Sequence, residues 1–163
     1  MVTIAPTVPW TPEACKIELS TDPLKIGYAA LLVAGDETNI PLAEALNLVR
    51  DGEPYAVPRG VISRSMFIGE CLQLGVVDNL MALPDATIKS GWIFLLQYIM
   101  PLIDEFDVNS KTFSDRLVMM LTTGLLDQVG ADALQYRQGS RAEVLWGAGI
   151  HINPAMVGEV TGL

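Results

Sequence analysis

Histidine occurs once in this chain and cysteine twice, and positive charge is sparse: ten Lys and Arg stand against nineteen Asp and Glu, for a net charge of −9. Each shortage excludes something. His151 has no second histidine with which to share a metal, and Cys15 and Cys71 fit no metal-ligand spacing, so neither a zinc site nor any cofactor is expected. The cysteines sit beside Ile17, Leu19, Leu72 and Leu74 and read as small buried apolar residues, not as a disulfide framework. The basic residues are scattered, at most two in any five-residue window, so no phosphate-tracking surface forms and direct binding of nucleic acid is not expected. The longest apolar run, Gly91 to Ile103, holds Gln97 and is broken by Pro101. That is too short to span a bilayer, and no membrane partner is expected. The opening MVTIAPTVPWTP has no basic segment of the kind that begins a secretory signal, which points to a reducing cytoplasm as the place of synthesis.

What the chain has is apolar mass. Half of its 163 residues are hydrophobic and only 18% are charged, where about 25% charged is usual. A monomer of this size exposes much of its surface, so the surplus points to apolar area covered by partners.

Periodicity and caps give mostly helices. Thr11-Pro12 forms a helix start, and Asp22-Pro23 interrupts. A short apolar helix from Tyr28 to Ala34 ends at Gly35, and Asp36 or Thr38 caps the next. After a loop from Asp51, Pro58 begins a helix running through Val61, Ile62, Phe67, Cys71 and Leu72. Asp85 opens the most apolar helix, reaching about Met100, with Ile88, Trp92, Ile93, Phe94, Leu95, Leu96, Tyr98 and Ile99 on nearly every side. Such a helix is expected at the centre of a fold. Asn109 or Ser110 caps another, Ser140 and Glu143 form a capping box, and Asn153-Pro154 starts the last. No stretch alternates with period two. The expected fold is all-α: a compact bundle of about six to eight short helices around a central apolar helix, with residues 1–10 as an extended arm and 11–163 as a single helical domain.

The residues offer little for catalysis. His151 lies between Ile150 and Ile152 with no nucleophile in sight, and phosphate-binding glycine loops and nucleophile elbows are absent. The acidic stretch Asp104 to Asn109 aligns poorly with a calcium loop: Ser110 stands where glycine is needed and Arg116 where a bidentate glutamate is needed. No catalytic and no metal-binding residues are assigned, and the chain is not expected to be an enzyme. The arm instead presents Val2, Ile4, Val8 and Trp10 with no charge before Glu13, which suits a clasp on a neighbouring subunit.

Two segments carry a resemblance. The first reads Glu18-Leu19-Ser20-Thr21-Asp22-Pro23-Leu24-Lys25-Ile26-Gly27-Tyr28-Ala29, and the second Ser140-Arg141-Ala142-Glu143-Val144-Leu145-Trp146-Gly147. This pattern resembles a group of small helical proteins encoded among the virion-structural genes of tailed bacteriophages, mostly of unassigned role. The resemblance implies a particle component: a subunit of the neck, head–tail connector or tail region, built into a symmetric ring from copies of itself and other virion proteins. It would be located in the virion, and in the host cytoplasm during assembly. A capsid-surface or tail-tip accessory subunit, or a small acidic protein regulating a host factor, are the alternatives. The pattern also has plain physical readings. Asp22, Pro23, Gly27 and Tyr28 set a turn between helices, Ser140 and Glu143 cap a helix, Arg141 suits an acidic partner, and Trp146 suits a core.

Overall fold

A computed structural model describes residues 3–4, 8–33, 38–50 and 53–162. Its contacts divide the chain into two compact units. One is Pro58–Arg137, and the other is made of the described residues before and after it. The first unit is therefore an insertion in the second.

Helices dominate, at 61% of the described residues, but the all-α expectation is corrected by four short strands in two small sheets. Among the described residues there are ten α-helices, more than the six to eight expected. Each strand is three residues long, too short for alternation to show in a sequence.

The outer unit contains α1 (Pro12–Thr21), α2 (Tyr28–Val33) and α3 (Ile40–Asn47) from the first segment. α9 (Arg141–Trp146) and α10 (Pro154–Thr161) come from the second. Thr11 starts α1 by accepting the Ala14 N–H, and Pro12 follows at the position where its missing N–H costs nothing. Asn153 starts α10 the same way. The core is Cys15, Tyr28, Leu42, Leu46, Ala142, Trp146, Ile152 and Val157, with Trp10 packed against it. Gly35 and Asp36, expected at the α2–α3 turn, lie outside the described residues.

The inserted unit holds α4 (Arg64–Gln73), α5 (Val76–Ala82), α6 (Ala86–Phe94), α7 (Lys111–Thr122) and α8 (Gln128–Gln135). Strand β2 (Val61–Ser63) pairs antiparallel with β3 (Glu105–Asp107), setting Ile62 opposite Phe106. The helix expected from Pro58 thus begins only at Arg64, where Ser63 caps it by accepting from the Met66 N–H. The acidic stretch considered as a calcium loop is strand β3 and a turn ending at the Ser110 cap of α7. The other two strands, β1 (Ala56–Pro58) and β4 (Tyr136–Gln138), occupy the two places where the chain passes between the units. The core of the insertion is built on Phe67, Leu80, Phe113, Leu117, Met120 and Leu134. Phe67, Phe106 and Phe113 stack at centroid distances of 4.7, 6.0 and 6.4 Å.

The largest departure is α6. It continues into a π-helical turn at Leu95–Ile99 and a 3-10 turn at Met100–Leu102, and no residue from Ala86 to Leu102 is fully buried. The helix expected at the centre lies on the outside of its unit.

Candidate interaction surface

The two motif segments meet inside the outer unit. Arg141, at the first position of α9, donates from Nε and Nη2 to the two Glu18 carboxylate oxygens of α1 at 2.8 and 3.0 Å. Its Nη1 reaches Glu53 at 3.3 Å. The buried Tyr28 hydroxyl donates to Glu18 at 3.2 Å. Two carboxylates and one guanidinium are thus sealed together, with side-chain exposures of 6%, 1% and 9% for Glu18, Glu53 and Arg141. Burial disfavours the ionised Glu53 carboxyl and raises its pKa despite Arg141. Burial also works against the charge of Arg141, but Glu18 and Glu53 outweigh it and hold the guanidinium's pKa above its usual value. An Arg–carboxylate cluster closed to solvent in this way fixes packing and does not receive a substrate.

The remaining motif residues surround it. Asp22 takes a left-handed conformation at φ 40°, and its carboxylate accepts the N–H groups of Ile26 and Gly27 at 2.6 and 2.7 Å. Gly27, at φ 90°, completes that turn without the strain a side chain would bring. Pro23 is exposed beside it. Ser140 accepts the Glu143 N–H at 3.2 Å, and Glu143 accepts the Ser140 N–H at 3.1 Å and the Gly149 N–H at 2.9 Å. Trp146 is in the core.

The arm behaves as part of its own unit. Val8 donates its N–H to Leu145 at 3.2 Å, Ile4 forms a bridge with Ala56, and Trp10 lies on the core. Ile4 and Val8 remain about half exposed, and Val2 lies outside the described residues.

Groups that looked chemical in the sequence are scattered. Burial pushes the Cys15 thiol to about 11 and the Cys71 thiol to about 12, which keeps both protonated. His151 lines an open depression of about 850 Å³ along α3, with Glu44 and Arg50 among its other polar walls. Among the described residues no group of three His, Cys, Asp or Glu side chains is placed to hold a metal, and no helix is long and apolar enough to cross a membrane.

The surface that stands out belongs to the insertion. Phe94, Tyr98 and Leu102 are 55%, 61% and 78% exposed. The rings of Phe94 and Tyr98 lie 5.0 Å apart, and Leu102 is exposed further along the same segment. Ile88 is also exposed on α6. Single exposed apolar side chains are ordinary, whereas a connected aromatic and aliphatic stripe marks an interaction surface. Sequence reasoning found these residues but assigned them to a core. All-round apolarity reads identically for a helix buried by its own domain and one buried by a partner.

No family model, curated protein or solved structure matches this chain.

Proposed function

We propose that this chain is a structural subunit of a tailed-phage particle, placed in the neck, head–tail connector or tail region, and that it assembles through the apolar face of its inserted unit. One observation carries the reading: the most apolar segment of the chain, Ala86 to Leu102, buries no residue fully within its own subunit. A stripe of Phe94, Tyr98 and Leu102 left in water would be a liability for a free monomer, and subunit contacts in a ring are the ordinary way to cover one. The phage assignment rests on the resemblance of the two motif segments. The outer unit brings those segments together through Glu18 and Arg141, which gives the pattern a shared structural purpose. In this division the outer unit is the framework and the insertion is the contact module.

Quantitative mass spectrometry of virions purified from a producing culture tests the assignment. The proposal expects several copies per particle, in a fixed ratio to the major capsid protein. Absence from washed particles, with the chain recovered on a host protein instead, would replace it with the regulator reading.

A further inference from the structure

The inserted unit holds a partly open, mostly apolar pocket of about 300 Å³. Its walls include Trp92, Ile99, Phe106, Phe113, Met100 and Met120. Most of its lining is apolar, and Ser110 and Thr112 supply the neutral polar groups. A volume of about 300 Å³ is at the lower end of natural ligand pockets.

The walls also fit an occupant. Aromatic rings present flat faces, and two methionines supply side chains that reshape around an irregular body. One wall is the π-helical turn Leu95–Ile99, a break in the regular helix of a kind that recurs at functional sites. The lining also includes Glu105, Asp107 and Arg116. Two negative groups against one positive disfavour an anionic ligand.

We infer that this cavity is a binding site for an uncharged, largely hydrocarbon ligand with a body of about one or two fused rings. The inference is separate from the assembly reading, because the exposed stripe of Phe94, Tyr98 and Leu102 and the cavity are formed by different side chains of the same segment.

The test titrates the full chain with the neutral fluorophore N-phenyl-1-naphthylamine. Binding is expected to saturate at one dye per chain, with the blue shift and rise in dye emission that accompany transfer into an apolar site. Ile99→Trp, which fills the cavity from its outer wall, is expected to weaken binding at least tenfold, and Ile103→Phe serves as a second filling variant if the first does not fold. Phe94→Ser/Leu102→Ser, altered outside the cavity, retains the site. In competition, 1-naphthalenemethanol displaces the dye and 1-naphthoate does so at least tenfold more weakly. Non-saturable uptake, equal binding by the filled and unfilled proteins, or loss in Phe94→Ser/Leu102→Ser would overturn the site. Stronger competition by the naphthoate would overturn the ligand class.

Discussion

Arg141 and Glu18 are 123 positions apart and form a two-pronged ion pair inside the outer unit, at 2.8 and 3.0 Å. The pair joins the chain's first helix to α9 and so ties together the two segments that flank the insertion. Removing one partner of a buried pair costs more than the pair contributes, because the other charge is left without compensation.

Arg141→Met is therefore expected to destabilise the protein by about 3–5 kcal/mol in urea unfolding. Adding Glu18→Gln and Glu53→Gln to that variant should restore part of the loss, since the uncompensated carboxylates are then gone. A loss within 1 kcal/mol of zero for Arg141→Met, about the level of an exposed pair, would contradict the burial of this cluster.

Glu53 gives the cluster a pH dependence. Its pKa is raised by burial above the ordinary 4.5, so the folded state favours the protonated carboxyl. Its contribution to stability is fully present below about pH 4.5 and is lost as pH rises through the folded value. Measured from pH 4.5 to 7, wild type should lose stability relative to Glu53→Gln as pH rises. A difference between the two proteins that does not change with pH would contradict the raised pKa.

The capping box yields a graded pair. Ser140→Ala removes one acceptor at the start of α9 and should cost about 1 kcal/mol. Glu143→Ala strands the N–H groups of both Ser140 and Gly149, and should cost more, about 2–6 kcal/mol at about 1–3 per stranded group. The reverse order in thermal or urea unfolding would show that Glu143 does not hold both groups.

Much of this architecture is legible in the sequence where the signal is local. Thr11, Asp85, Ser110, Ser140 and Asn153 each precede a helix and accept an N–H two or three residues on, and a hydroxyl, carboxylate or amide before an apolar period announces that chemistry. Ser63 was hidden because Pro58 offered an earlier start, and the three residues of β2 between them are too few to show a period. The pairing of Arg141 with Glu18 depends on the chain returning after an 80-residue insertion, Pro58–Arg137, and nothing local encodes that return. The outward position of α6 was hidden for another reason: hydrophobicity records that a surface is covered, not which molecule covers it.

Trp10 separates two accounts of the arm. From the sequence Trp10 either packs back on its own domain or anchors into a neighbour, and the structure packs it on its own core. Trp10→Ala should lower stability by about 2 kcal/mol, less than the 3–5 for a fully buried aromatic. Trp10→Phe keeps an aromatic ring on that core and should cost well under half as much. Deleting residues 1–10 should lower the melting temperature in proportion to Trp10→Ala. An unchanged melting curve after the deletion, together with weakened assembly, would return the arm to the clasp role.

The exposed stripe on the insertion is the centre of the account, and sedimentation velocity over a concentration series tests it most directly. The wild-type chain should associate as concentration rises, and Phe94→Ser/Tyr98→Ser/Leu102→Ser should remain monomeric while keeping the wild-type circular dichroism spectrum. A wild type that stays monomeric throughout, or a triple variant that associates as the wild type does, would contradict assembly through this face.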